Sequence, residues 1–322
     1  MVTGATSGIG RAVTRAFAAE GARLGLIARG ADGLAATGAE IRGAGGEALE
    51  LQLDLADAAA VREAAEEIVH AWGAIDVWVN NAMVSVFAPV GETTPAEFRR
   101  VTEVNYLGTV HGTLAALEQM RPRGAGTIIQ IGSALAYRSI PLQSAYCASK
   151  AAVRAFTDSL RSELLHQHSP IRLTMLQLPA VNTPQFGVVR NKLGKHAHPV
   201  PPLYQPEVIA REVVRAARSP RRERWIGCSA VKAIVGQRLI PGLLDRYLAR
   251  KAWASQTTDK LPPTNRDNVD APLPGDRGAH GPFDDEAQPS TASLWASRPL
   301  QVLTAAVLVG AFAAVASRRR SR

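Results

Sequence analysis

Thr3-Gly4-Ala5-Thr6-Ser7-Gly8-Ile9-Gly10 opens the chain and decides how the rest is read. The glycines run G-x-x-x-G-x-G and lead into an amphipathic stretch at 9–20. A glycine turn entering a helix lets backbone approach a pyrophosphate, whose charge meets the unpaired N–H groups of the first helical turn. The spacing is not the G-x-G-x-x-G of the dinucleotide fingerprint. Alone, the turn therefore marks Thr3, Gly4, Thr6, Ser7, Gly8, Ile9 and Gly10 as phosphate-binding candidates and no more.

Outward from the turn, apolar runs at 23–28, 48–53, 75–79, 127–131 and 171–178 alternate with helical patterns at 9–20, 33–44, 58–71, 97–119 and 144–166. This alternation predicts an α/β fold with a doubly wound parallel sheet, helices on both faces and a ligand site at the carboxyl ends of the strands. Only Met1-Val2 precedes the turn, although the strand before it belongs at the sheet's centre. A missing central strand leaves backbone groups unpaired. The expectation is that several apolar residues ahead of Met1 are absent.

The chain has 322 residues, 46% of them hydrophobic, which excludes a wholly disordered or collagen-like protein. Two cysteines, Cys147 and Cys228, exclude a disulfide framework and a four-cysteine zinc site. The His166/His168 and His196/His198 pairs lack acid or cysteine companions at ligand spacing, so no metal is expected. Charge is uneven: residues 150–255 carry 18 basic and 6 acidic side chains, against 11 and 15 in 1–149. No nucleic-acid reading motif accompanies the basic third, so anionic lipid or phosphate-bearing ligands fit it better.

The organisation expected is a catalytic domain over 1–226, a helical extension over 227–254 broken at Pro241-Gly242, and a flexible linker over 255–293. A membrane-anchoring helix over 294–317 and a basic tail over 318–322 follow. The linker reading rests on its Pro, Asp, Ser and Gly content with few large apolar groups. The anchor reading rests on the uncharged run 300–316, whose length as a helix, about 25 Å, just spans a bilayer core. Arginines after the span favour a cytoplasmic tail, whereas cofactor use places the domain in the cytoplasm. The expectation is a membrane-associated protein with its domain facing the cytoplasm, and the anchor's topology stays open.

Several residues carry chemistry. Arg29 falls where an arginine accommodates the extra phosphate of NADP, and the nearest acid, Asp32, comes three residues later, so NADP(H) is favoured over NAD(H). Asp54 follows a strand and is placed to accept from an adenine amino group; Asn80-Asn81-Ala82 ends another and lines the cofactor crevice. The decisive set is Ser133, Tyr146 and Lys150. Tyr146 and Lys150 share one helical face at i,i+4, so an ammonium is placed to lower the phenol's pKa, and Ser133 leaves a strand end to hold a substrate oxygen.

With these motifs, the chain resembles the short-chain dehydrogenase/reductase family over about 1–226. The T-G-x-x-x-G-I-G turn is Thr3 to Gly10, N-N-A is Asn80 to Ala82, the helix-four asparagine is Asn105, and Y-x-x-x-K is Tyr146 to Lys150 behind Ser133. The resemblance implies a Rossmann-like fold, a nicotinamide cofactor, and hydride transfer at a carbonyl or secondary alcohol. It implies that Tyr146 moves the proton, Lys150 binds the nicotinamide ribose and Asn105 holds a relay water. Cofactor contacts at Pro179 and Thr183, and dimers or tetramers, are also implied. Met83 and Ala180 stand where the family has glycines. Phe186, Val188, Val189 and Leu193 point to an apolar or lipid-like substrate, and NADPH to its reduction. A catalytically silent nicotinamide sensor and an NAD-linked alcohol dehydrogenase are the alternatives.

Overall fold

The computed structural model describes residues 1–262, 266–291 and 293–295. The first half alternates strictly: β1 Val2–Thr3, α1 Gly8–Ala18, β2 Leu24–Ala28, α2 Ala31–Gly43, β3 Ala48–Gln52, α3 Ala58–Trp72 and β4 Val77–Asn80. It continues with α4 Pro95–Thr102, α5 Gly108–Met120, β5 Thr127–Ile131, α6 Ser144–His166, β6 Arg172–Gln177, α7 Pro206–Arg218 and β7 Glu223–Ile226. Helices α8 Gly227–Leu239 and α9 Pro241–Lys251 follow, and β8 Ser293–Trp295 returns to the sheet.

The strand order is β8-β7-β6-β5-β4-β1-β2-β3. Seven strands run parallel, and β8 is antiparallel to β7 at the edge. The fold is thus Rossmann-like, and the order reverses between β1 and β4, which opens a crevice at their carboxyl ends. Successive strand residues face opposite layers. Leu26 and Ile129 pack with Val13 of α1 and Ile209 of α7; Ile27 and Ile128 pack with Val61 of α3, Ala116 of α5 and Leu160 of α6. Continuous apolar runs are what a sheet buried on both faces requires.

The five expected strands and the helices at 9–20, 33–44, 58–71 and 144–166 match to within a few residues. Three points differ. The helix expected at 97–119 is two helices separated by a π-helical turn, Glu103–Leu107, centred on Asn105. β7 and β8 were not foreseen, because Glu223–Ile226 is short and mixes charge with apolar groups. The stretch expected to begin the anchoring helix at 294 instead has Leu294 and Trp295 in β8; the rest, 296–322, lies outside the described residues. Among the described residues no helix is long and apolar enough to cross a membrane. At the other end β1 is two residues long, and the buried Met1 amino group donates to the Val77 carbonyl at 2.9 Å.

The reading of 255–293 as a flexible linker is corrected by its path. Residues 266–286 run as a strap over the domain, with Val269, Ala279 and Phe283 buried. Arg190 grips Asp267 through Nε and Nη2 at 2.9 and 3.0 Å, and Asn182 donates to Asp284 at 2.8 Å. Phe283 is flanked edge-on by His198 at 4.7 Å, and Ala287–Gln288 pairs in parallel with Leu203–Tyr204. Composition counts apolar area, whereas this segment is ordered largely by charge-assisted bonds to arginines of the domain.

Candidate active site

The crevice begins at the glycine turn. Gly4 and Gly8 have φ of 62° and 55°, backbone that favours glycine. A Cβ on Gly10 would lie 1.9 Å from the Gly4 carbonyl, so only glycine lets the turn close on α1. Thr3 fixes the turn to β4: its hydroxyl accepts the N–H groups of Asn81 and Ala82 at 2.9 and 3.1 Å. Asn81 donates back to the Thr3 and Gly4 carbonyls at 3.0 and 3.2 Å. Ser7, at the N-cap of α1, makes no side-chain cap bond, and the first-turn N–H of Gly8 is instead taken by the Gly278 carbonyl at 3.0 Å. Asn80 ties strands instead, bonding Trp78, Thr113 and Gln130.

These elements line a cavity of about 550 Å³. Thr6, Ser7, Gly8, Ile9, Arg29, Asp54, Asn81, Ala82, Ser133, Tyr146, Lys150, Pro179 and Thr183 all border it. Met83 and Ala180, the departures from the family pattern, border it too. A helix start without a side-chain cap above a glycine cradle, opening on a cavity of about 550 Å³, fits a dinucleotide. Asp54 is engaged: it accepts the Ala56 N–H at 3.0 Å and pairs with Arg100. Burial works against its charge, but these partners and Arg29 hold its carboxyl below the usual range.

At the far end Ser133, Tyr146 and Lys150 converge. Ser133 leaves β5 with its hydroxyl accepting the Leu135 N–H at 3.1 Å, and it borders the cavity together with Tyr146. Lys150, one turn along α6, is buried; its Nζ donates to the Ile131 carbonyl at 2.8 Å and lies 5.8 Å from the centre of the Tyr146 ring. The expected lowering of the phenol's pKa is not what this environment gives. Burial pushes Tyr146 up to about 12, against the pull of Ser133, and pushes Lys150 down to about 8. Desolvation disfavours both charged forms and is the largest cause of each shift. Asn105 stands behind the pair: its side chain exchanges bonds with the Val84 backbone at 2.8 and 2.9 Å and donates to Ser149 at 3.1 Å.

Sequence reasoning missed the support under Ser133. Gln177, fully buried in β6, accepts the Ser133 N–H at 3.0 Å and donates to Glu223 at 2.6 Å; Tyr137 donates to the same carboxylate at 2.8 Å. The signal was present, since a polar residue inside an apolar strand has to be satisfied by something nearby.

Residues 1–194 match the family described as short chain dehydrogenase, and the chain belongs to that family. Among its relatives is the Uncharacterized oxidoreductase YxnA of Bacillus subtilis, 29% identical over 100% of this chain and 90% of that protein. Another is Dehydrogenase/reductase SDR family member 7B of Bos taurus, 34% identical over 78% of this chain and 80% of that protein. Solved structures resemble it too. An alcohol dehydrogenase from the archaeon Thermococcus sibiricus, complexed with 5-hydroxy-NADP, aligns at TM-score 0.61 and 29% identity over 70% of this chain and 93% of its own. A metagenomic short-chain oxidoreductase in complex with NADP aligns at TM-score 0.57 and 30% identity over 69% of this chain and 92% of its own. The chain is an oxidoreductase of this family, and structural neighbours of it bind NADP.

Proposed function

We propose that the protein is an NADP(H)-dependent reductase that converts a carbonyl of an apolar or lipid-like substrate to a secondary alcohol close to a membrane surface. The observation that carries the chemistry is the convergence of Ser133, Tyr146 and Lys150 at one end of the dinucleotide cavity. NADP is favoured because structural neighbours bind it and because Asp32, the acid nearest the ribose slot, already accepts the Gly275 N–H at 2.7 Å.

When bound, the dinucleotide supplies the hydride that goes to the carbonyl carbon. Ser133 and Tyr146 orient the substrate oxygen from one side, and Tyr146 gives it a proton. A phenol pushed up to about 12 keeps its proton at neutral pH yet remains far more acidic than the alcohol it protonates. Lys150, with its pKa pushed down to about 8, is still largely an ammonium at pH 7 and steadies the phenolate left behind. Asn105 acts as a positioning residue through Ser149, which precedes Lys150.

The substrate end of the cavity is walled by Leu135, Ile140, Phe186, Leu244 and Leu248, which supports an apolar substrate. Outside it, Leu239, Ile240, Leu243 and Trp253 are exposed beside Arg238, Arg246, Arg250 and Lys251. Apolar groups rimmed by cations suit an anionic bilayer surface. The test is a panel of long-chain, steroid-like and small carbonyls offered to the full chain with NADPH or NADH. Carbonyl-dependent oxidation of NADPH, fastest with the apolar members, is expected. Consumption of neither cofactor with any carbonyl overturns the assignment.

A further inference from the structure

The strap follows the cofactor crevice along its length. Arg29 Nη1 donates to the carbonyls of Val269 and Asp270, both at 3.2 Å, and Nη2 donates to that of Asn268. Arg100 Nε reaches the Val269 carbonyl at 3.0 Å. Further along, Asp276 pairs with the buried Arg11 at 3.1 and 3.3 Å. The Gly278 carbonyl then accepts the N–H of Gly8, at the start of α1, at 3.0 Å. Past that point Gly281 is pressed against the nicotinamide end, where a Cβ would lie 2.3 Å from the Thr183 carbonyl. These contacts anchor the strap at both ends and in the middle.

The strap covers the crevice without filling it. Leu273, Gly275 and Arg277 border the same cavity as Thr6, Ser7 and Arg29. Arg277 lies between the anchored Asp276 and Gly278, so its backbone is held at the amino end of α1. Its side chain is exposed, with a 3.5 Å contact to the Pro274 carbonyl. A guanidinium placed there faces the position where phosphate charge collects at a helix start.

We propose that residues 266–286 are a working part of the cofactor site: they close over the dinucleotide crevice, Arg29 latches them by their carbonyls, and Arg277 is the cation they bring to the cofactor's phosphates. The inference rests on the dinucleotide reading above. It gives Arg29, the residue sequence spacing assigns to the NADP phosphate, a structural duty as well. It also makes cofactor exchange depend on the strap lifting, because Gly278 holds an N–H that a pyrophosphate needs.

The experiment is hydrogen exchange on the full chain, with and without NADPH, joined to equilibrium NADPH binding followed by fluorescence. In the dinucleotide-free protein, Arg29→Ala is expected to speed exchange of the 268–281 amides at least tenfold, and NADPH is expected to alter their exchange in the native chain. Arg277→Ala, a change on the surface, is expected to leave dinucleotide-free exchange as in the native chain and to raise the NADPH dissociation constant at least fivefold. Native NADPH affinity in Arg277→Ala overturns the proposal, as does strap exchange indifferent to both Arg29→Ala and NADPH. A native chain that binds neither NADPH nor NADH overturns the cofactor reading and this inference with it. Binding that persists while either strap result fails overturns the inference alone.

Discussion

Lys150 sets a stability cost against its proposed chemical use. Its ammonium is buried and bonded to one carbonyl, and burial pushes its pKa from 10.5 down to about 8. In the unfolded chain the amine keeps its proton up to 10.5, so between these values the unfolded state binds more protons than the folded one. Lys150 therefore makes stability rise with pH across that window, and below it the full cost of burying the charge is present. Denaturant unfolding of the native chain and Lys150→Met at pH 7.5 and pH 10 tests this. The difference in stability should move in favour of the native chain at the higher pH; a difference that stays constant contradicts the assigned burial. Tyr146 and Cys147, both raised by burial, cancel in this comparison because both chains contain them.

At the scale of elements, the turn into α1 has the least freedom. Gly10→Ala puts a Cβ 1.9 Å from the Gly4 carbonyl, and backbone, not a flexible side chain, would have to give way. Such overpacking costs about 1–3 kcal/mol, and the expected result is at least a tenfold loss of NADPH affinity with a lowered melting temperature. Unchanged affinity would mean that this turn does not hold the cofactor. Much of this level was legible in sequence. Period and length placed β2, β3, β5, β6 and α6, because continuous apolar runs and an amphipathic pattern each allow one outcome in a two-face sheet. The candidate trio was legible because Ser133, Tyr146 and Lys150 sit at fixed offsets from a strand end and along one helix. What escaped depends on pairs distant in sequence. Gln177 inside an apolar strand announces a buried partner, but no local pattern names Ser133 as that partner, shows that the helix at 97–119 opens into a π turn around Asn105, or shows that Asn268, Val269 and Asp270 are gripped by Arg29.

For the whole molecule, the basic middle third acquires two kinds of role. Some of its charge is internal: Arg190 fastens the strap and Arg224 is buried against Glu212 at 2.7 Å. Another part, Arg238, Arg246, Arg250 and Lys251, lies with the exposed Leu239, Leu243 and Tyr247 on α8 and α9. The full chain is expected to sediment with vesicles containing phosphatidylglycerol more than with phosphatidylcholine vesicles, and increasingly less as salt is raised. A chain that stays in the supernatant in every case contradicts the membrane-surface reading. The account as a whole depends on a proton leaving Tyr146 for a substrate oxygen beside a bound dinucleotide. Its most direct measurement compares the native chain with Tyr146→Phe for NADPH binding and for carbonyl-dependent NADPH oxidation under the same conditions. Binding within twofold of native with turnover lowered by roughly a hundredfold or more is the predicted result; turnover at the native rate without the phenolic hydroxyl would contradict it.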